Sequence, residues 1–323
     1  MKLWGEKRYY SLDYYIKSTF GEKLYKISLN GGMSCPNRDG TLDSRGCIFC
    51  SAGGSGDFAA DRNLSIKEQL KTGKSLVQKK HSGSSYIAYF QAYTNTYASV
   101  SYLEKIFLEA IEEPDIKVLS IATRPDCLSS DILNLLCRLN KIKPVWIELG
   151  LQTIHSATSD FIRRGYDLDV FEKAVYDLKK EGLSVIVHTI SYLPYYSDDH
   201  SLRTESKEMM LKTIDYLNSL PIDGIKLQLL HVLKYTDLAN IYECEHFFLP
   251  TMEEYIELLG CFISHLRPDI VIHRLTGDGP KSILIAPLWT GNKRLVLNRI
   301  QKYLKDSDIW QGKEYKPPMF PTL

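Results

Sequence analysis

Three cysteines, Cys35, Cys47 and Cys50, stand in the glycine-rich stretch from Asn30 to Asp57 with eleven residues and then two between them. Thiolates at such spacing bind a soft metal centre, because Cys-x2-Cys brings two sulfurs onto one site within a tight turn and the longer gap loops round to a third corner. Three thiolates hold three irons of a 4Fe-4S cluster and leave the fourth iron open to a reactant. Zinc is the competing occupant, and it needs a fourth ligand such as His81, Cys127 or an Asp; no second Cys-x2-Cys or His-x3-His supplies one. Phe49, beside the last cysteine, is expected to shield the site from water.

Other chemistry-bearing residues fall at the ends of apolar runs. Thr94, Asn95 and Thr96 follow one such run and offer oxygens to a ligand, or cap the next helix through an Asx/Thr turn. Glu148 and Gln152 lie four apart, so on a strand both face one side, and polar groups in a packed interior need partners that a cofactor or substrate would provide. Arg164 follows twelve residues later as a planar donor fork or as a solvated helix-end charge beside Arg163. Arg124 and Asp126 form either a functional pair at a strand end or a structural one. His188 and His231 sit in apolar strands, where an isolated histidine is most often a hydrogen-bonded core residue. Lys226 and Gln228 share one face of a later run and are placed to meet a substrate. Gly53-Gly-Ser-Gly56 lacks a following Lys-Ser/Thr and is no phosphate loop. Lys293, Arg294, Arg299, Lys302 and Lys305 make either an RNA-phosphate surface or an ordinary solvated helical face.

The elements that must position these groups alternate. Strands are expected at 24–29, 86–91, 117–122, 145–151, 184–190 and 224–231. Helices are expected at 65–80, with Ser65 as cap and Glu68 three residues on, from 99 to before Pro114, and at 129–140, 171–181 and 204–220. Strand-helix alternation implies parallel pairing through right-handed crossovers. The expectation is an α/β fold: a partial (β/α)6 TIM-like barrel over residues 24–268, preceded by a leader at 1–23. An α+β extension follows at 269–323, with strands at 270–273 and 282–286 and a helix at 292–304. Barrel reactive groups belong on the loops after the strands, and the cysteine loop, 30–58, follows the first strand.

The 323 residues, 44% hydrophobic, allow a large core, and 40 basic against 39 acidic residues give no bulk charge that advertises nucleic acid or membrane. The N-terminus lacks a signal-peptide core, and no apolar run nears the roughly 18 residues of a membrane span. Seven cysteines without a signal peptide indicate reduced thiols, so a cytoplasmic location is expected, with Cys127, Cys137, Cys244 and Cys261 mostly structural.

Several strings resemble the radical S-adenosylmethionine (SAM) enzymes whose cysteines are spaced Cys-x11-Cys-x2-Cys, related to the elongator-type and oxygen-independent coproporphyrinogen oxidase branches. They are Cys35-Pro-Asn-Arg-Asp-Gly40, Gly54-Ser-Gly-Asp-Phe58, Tyr89-Phe-Gln-Ala-Tyr-Thr-Asn-Thr-Tyr97, Ala122-Thr-Arg-Pro-Asp-Cys127, Glu148-Leu-Gly-Leu-Gln152 and His273-Arg-Leu-Thr-Gly-Asp278. The resemblance implies a radical SAM barrel in which Cys35, Cys47 and Cys50 hold a 4Fe-4S cluster that cleaves SAM to a 5′-deoxyadenosyl radical. It also implies that Thr94, Asn95 and Thr96 stand where the family grips the SAM amine. Glu148 joins the cofactor-binding set, Gln152 becomes a ribose or carboxylate contact, and Arg164 pairs the SAM carboxylate. The implied partners are tRNA, modified at a wobble uridine from a carboxymethylaminomethyl to an aminomethyl side chain, and a reductant such as flavodoxin or ferredoxin. A small-molecule substrate, another RNA position and a zinc-stabilised RNA-binding module remain the alternatives. There are departures: Ala122 replaces a glutamate of the elongator-type branch. The family's Leu-Pro-Gly-Glu, with a glycine before it, reads Tyr192-Leu-Pro-Tyr-Tyr196, and Lys-Gly-Thr reads Lys234-Tyr-Thr236.

Overall fold

A computed structural model describes residues 2–51, 53–54, 59–79, 83–277 and 279–317. Its strands in chain order are β1 (Tyr25–Leu29), β2 (Tyr86–Phe90), β3 (Ile116–Thr123), β4 (Val145–Gln152), β5 (Ser184–Ser191), β6 (Pro194–Tyr196), β7 (Leu202–Thr204), β8 (Gly224–Leu229), β9 (Val232–Leu233), β10 (Val271–Arg274) and β11 (Leu284–Ala286). Seven of them form one parallel sheet in the order β1-β2-β3-β4-β5-β8-β10, an open-sided partial barrel. The six expected barrel strands all occur, each within two residues of its expected limits.

The sheet has a seventh strand, and this corrects the expected boundary after residue 268. β10 pairs with β8, Val271 opposite Gly224 and Ile272 opposite Ile225. A parallel neighbour needs a long crossover, and helix α9 supplies it (the helices are α1 Leu12–Phe20, α2 Ile66–Gln78, α3 Val100–Ile111, α4 Ser130–Asn140, α5 Ser156–Phe161, α6 Leu168–Lys180, α7 Lys207–Ser219, α8 Asp237–Glu245, α9 Met252–His265 and α10 Lys293–Asp306). Helix α9 has no counterpart among the helices expected from the sequence, which is why β10 is expected in the extension. Its signal is in the chain: Thr251 and Glu254 form a capping box that satisfies orphan amides at the helix start. The leader is likewise part of the barrel, since Ser11 bridges to Ile272 and Tyr10 accepts a backbone hydrogen bond from Ile272.

Strand alternation divides the core. On β4, Val145, Ile147, Leu149 and Leu151 face the helical layer, while Trp146, Glu148, Gly150 and Gln152 take the inner face. At the N-terminal end of the lumen Trp146 joins Leu24, Ile87, Val118 and Ile186, and Ile16 of α1 completes this apolar layer. At the other end a second apolar cluster, with Ile48, Ile162, Leu193, Leu230, Val232, Leu238 and Phe247, seats the cysteine loop on α8 and on the antiparallel β9-β11 pair. Among the described residues no helix is long and apolar enough to cross a membrane.

Candidate active site

The cysteine loop leaves β1 under the control of Gln69, a buried side chain of α2. Its Oε1 accepts from the Asn30 amide at 2.8 Å and its Nε2 donates to the Asn30 carbonyl at 3.0 Å. Cys35 then opens a turn closed by the Arg38 amide on its carbonyl, and Cys50 donates its amide to the Cys47 carbonyl at 3.0 Å, the tight turn that Cys-x2-Cys requires. Asn37 fastens the loop to the turn that follows α5. It is 1% exposed, and its Nδ2 donates to the carbonyls of Arg163 (2.7 Å) and Arg164 (3.2 Å) and reaches the Cys47 sulfur at 3.6 Å. Gly165, at φ +79°, permits this approach, for a Cβ there would lie 2.8 Å from Asn37 Oδ1. Arg38 donates to the carbonyls of Cys50 and Ser51 at 2.9 and 2.7 Å. Phe49 packs, partly buried, on the apolar cluster around Ile48.

The thiols influence one another. The hydrogen bond with Cys50 lowers Cys47 to about 7 against the effect of burial, helped by Asn37 and by the charges of Arg124 and Arg163. The same bond, burial and the neighbouring sulfurs raise Cys50. Three thiols at one barrel mouth, with guanidiniums close by, are a donor set suited to an iron-sulfur cluster. Among the described residues no three His, Cys, Asp or Glu side chains converge as ligands of a single ion would, and a four-iron cube spreads its thiolates wider than zinc does. His81, one of the candidate fourth zinc ligands, lies outside the described residues, as do Ser55 and Gly56 of the glycine run and Asp278. Cys127 is near Cys35, its thiol raised to about 12 chiefly by burial.

The end of β2 carries Thr94, Asn95 and Thr96, all 1% exposed or less. The Thr94 amide donates to the Ser34 carbonyl at 3.2 Å, which ties this turn to the cysteine loop. Asn95 Nδ2 donates to the Ala122 carbonyl at 2.8 Å and its Oδ1 is buried with no partner, the state of an acceptor waiting for a donor. Thr96 is already engaged, by Thr123 and by the Cys127 carbonyl at 2.6 Å. Gln152, at φ +63°, accepts from the Tyr166 hydroxyl at 3.3 Å and lines a cavity with Thr189, Ser191, Glu205 and Thr213.

The two arginines are buried. Arg164, 3% exposed, is not a solvated charge: it donates to the carbonyls of Leu151 (3.0 Å), Thr153 (2.6 Å) and Tyr166 (3.0 Å). Arg124 grips Asp126 with both arms, at 2.9 and 2.6 Å, and donates to the Arg164 carbonyl at 2.8 Å. Arg124–Asp126 is thus a structural pair, and both guanidiniums stack on the Tyr166 ring at 4.9 and 4.7 Å. In this structure they brace the mouth through the backbone.

Glu148 faces the lumen with Gln152, yet it stands deeper and its carboxylate is saturated. Oε1 accepts from Lys26 at 2.8 Å and Ser120 at 2.9 Å, and Oε2 pairs with Lys226. Burial would raise this carboxyl, but the charges of Lys226 and Lys26 outweigh it and hold Glu148 well below the usual range. Lys226 also donates to the Tyr89 hydroxyl at 3.1 Å, and both lysines lie over the Tyr89 ring. His188 Nε2 and Gln228 Oε1 are buried without a partner on the same inner face, while the ring of His231 abuts Gly277. The basic residues of α10 lie on its exposed side, opposite Val296, Ile300 and Leu304.

The departures at tyrosine have a backbone explanation. Tyr192 and Tyr235 stand at φ +62° and +65°, the left-handed region that glycine enters freely, so the chain path expected of glycine is kept. Tyr235 is 88% exposed, and Tyr192 packs beside Phe248 and Met210. The β6-β7 hairpin interrupts the Leu193-Pro string and returns to Glu205, whose amide donates to the Leu193 carbonyl at 2.9 Å. Glu205 was missed in the sequence: it is 3% exposed, accepts from Thr153 at 2.6 Å and is raised chiefly by burial. The polar Ser197-Asp-Asp-His200 turn between two short runs was the available signal for the hairpin.

Comparison with known proteins agrees with this geometry. The Radical SAM superfamily matches residues 44–207, and the Radical_SAM C-terminal domain matches 222–306. The chain is 40% identical to the uncharacterized protein YtqA of Bacillus subtilis over 96% of its own length and 94% of that protein, and 35% identical to protein YhcC of Escherichia coli K12 over 94% of each. It is 27% identical, over 57% of its length and 33% of the relative, to a tRNA uridine(34) acetyltransferase of Methanocaldococcus jannaschii. The solved structure of Methanocaldococcus infernus Elp3 superposes with a TM-score of 0.66 at 18% identity, covering 89% of this chain and 64% of that one, and this likeness is one of fold. On the superfamily match and the full-length relatives, the chain belongs to the radical SAM superfamily, whose members use a 4Fe-4S cluster and S-adenosylmethionine.

Proposed function

We propose that the chain is a tRNA-modifying radical SAM enzyme that acts on a wobble-uridine side chain and converts carboxymethylaminomethyl to aminomethyl. Cys35, Cys47 and Cys50 would hold the cluster; Asn95, with Thr94 and Thr96 around it, and Gln152 would meet SAM, with Arg164 bracing the site. The observation that carries this reading is the cysteine loop at the barrel mouth, fastened by Asn37 to the turn after α5 and by Ser34 to the Asn95 turn. When bound, the cluster and SAM supply one-electron cleavage of the sulfonium and a radical that takes a hydrogen atom from substrate. The protein's share is orientation and exclusion of water: the apolar cluster around Ile48 backs the loop, Arg38 holds the Cys50 and Ser51 carbonyls, and Arg124 and Arg164 fix the backbone beneath the loop. A reductant such as flavodoxin or ferredoxin would deliver the electron. The tRNA assignment is supported by the partial relationship to a tRNA uridine(34) acetyltransferase.

Anaerobic reconstitution with iron and sulfide tests the chemistry: dithionite-dependent 5′-deoxyadenosine is expected, and a colourless zinc protein would reject it. Mass spectrometry of tRNA nucleosides from a deletion strain tests the substrate. Carboxymethylaminomethyluridine should accumulate, and an unchanged wobble profile would reject the tRNA reading.

A further inference from the structure

Among the described residues, the floor of the lumen brings three basic side chains to one carboxylate. Lys26 from β1, Lys226 from β8 and Arg274 from β10 face it, and among the described residues Glu148, which pairs with the two lysines, is the carboxylate bonded there. Arg274 stands opposite Lys226 in the ladder and acts electrostatically on Tyr89, His188, Lys226 and His273. Among the described residues no carboxylate or carbonyl is bonded to it. The other titratable groups facing this space are neutral: burial first, then Lys226 and Arg274, bring His188 down to about 3, and burial and Lys26 put His273 well below its ordinary range. Burial lowers Lys226 to about 7 even beside Glu148. Half-buried Lys26 and Arg274, with Lys226 when it carries its proton, hold charge in this space that is costly unless an anion completes it.

Above this layer His188 Nε2 and Gln228 Oε1 are buried without partners. The layer lies four residues down β4 from Gln152, ~13 Å at ~3.3 Å per residue, well below the cysteines. An anion seated there is therefore carried by the substrate and is distinct from the groups of a cofactor held at the mouth. We propose that Lys26, Lys226 and Arg274 form a carboxylate subsite that selects a substrate with a negatively charged end on a short arm. Joined to the proposed function, on which this step of substrate identity rests, the carboxylate is that of the carboxymethylaminomethyl side chain. Glu148 then works as a positioning residue: it holds the two ammonium groups in place over the Tyr89 ring, and its single charge leaves the pair and Arg274 attractive to a further anion.

Calorimetry on the reconstituted holoenzyme tests the subsite without tRNA. N-acetylglycine carries a carboxylate on a short amide arm, and N-acetylglycinamide is its uncharged counterpart; the first should bind at least tenfold more tightly. Lys26→Met leaves Glu148 paired with Lys226 and should weaken N-acetylglycine at least tenfold, with Lys26→Arg restoring it and Arg274→Met as an independent second variant. Equal binding of the two probes, no binding of either, or unchanged affinity in both Met variants overturns the proposal. So does a parallel loss of SAM affinity in Lys26→Met, since the anion is then the cofactor's. The same proteins are titrated with tRNA bearing carboxymethylaminomethyl- or aminomethyluridine, and the wild-type preference for the first should vanish in Lys26→Met. If wild type ignores both tRNAs yet binds N-acetylglycine through Lys26, the tRNA reading fails and the subsite stands; if it prefers the carboxylate-bearing tRNA and Lys26→Met keeps that preference, the subsite fails and the tRNA reading stands.

Discussion

The floor and the mouth of the same lumen satisfy buried polarity in opposite ways. At the floor, Glu148 draws side chains from four other strands, Lys26, Tyr89, Ser120 and Lys226, into one bonded layer that exists before any ligand arrives. At the mouth, Arg124 and Arg164 spend their donors on Asp126 and on backbone carbonyls, while Asn95 Oδ1 is unpartnered and the thiols of Cys47 and Cys50 shift each other's acidity. The floor is a finished scaffold that brings three basic side chains to one carboxylate. On the proposed function the mouth is a frame around groups that a bound cofactor would complete, which is where pre-organised side chains contribute most to chemistry.

The sharpest way to break this contrast is Glu148→Gln. It removes the charge on which both lysines converge and leaves buried Lys226 and half-buried Lys26 without a carboxylate. Because Lys226 sheds its proton more readily there, a loss of about 3 kcal/mol of stability, the low end for a broken buried pair, is expected. Urea unfolding of the apoprotein under reducing conditions measures it. Asn95→Ala provides the mouth's counterpart: its Oδ1 binds nothing in the apoprotein, so the change gives up chiefly the neutral hydrogen bond to the Ala122 carbonyl, about 1 kcal/mol, and should cost less than Glu148→Gln. Equal losses at the two positions would show that the floor is no more of a scaffold than the mouth.

Acid separates the floor in a second way. His188 titrates at about 3 in the folded chain and at an ordinary 6.5 when unfolded. Between these values the unfolded state binds the extra proton, so stability falls as pH falls below about 6.5. For one partly open imidazole the loss between pH 7 and pH 5 should be about 1–2 kcal/mol. His188→Gln should make that part of the pH profile shallower while leaving the rest of the floor in place, His273, also held well below its ordinary range, supplying the remaining slope. A profile equally steep in the variant would remove His188 as its source.

How much of this was legible follows the periodicity. The six strands and the Ser65–Glu68 capping box were readable because alternating burial and cap chemistry are local. The cysteine triad was readable because spacing in a loop is local too. The Glu148 layer was not: its members sit on five strands spread from residue 26 to residue 226, and only the closure of the sheet brings Lys26 and Lys226 to one carboxylate. Glu205 was hidden by the hairpin, which separates it from Leu193 by eleven residues in sequence and by one hydrogen bond in space. Arg164 was read as a partner for the SAM carboxylate or as a solvated helix-end charge; it is buried, which removes the second reading, and its carbonyl partners depend on the turn that follows α5 and could not be inferred from residue type.

Tyr235 offers the smallest and most selective test of the mouth as a frame. Its φ of +65° costs an L side chain about 1–2 kcal/mol in steric strain, and with 88% of the residue exposed the ring returns little packing. Glycine removes the strain but gains freedom in the unfolded chain, worth about 0.4–1 kcal/mol in the other direction. Tyr235→Gly should therefore stabilise the protein by about 0.5–1 kcal/mol, read as a higher urea midpoint at unchanged slope. Tyr192 has the same backbone geometry but is buried beside Phe248 and Met210, so the same change there removes core packing and destabilises. Opposite signs at two tyrosines with matching φ would show that the mouth conserves a backbone shape, whatever side chain it carries. A loss at Tyr235 would mean instead that its exposed ring is held by contacts of its own.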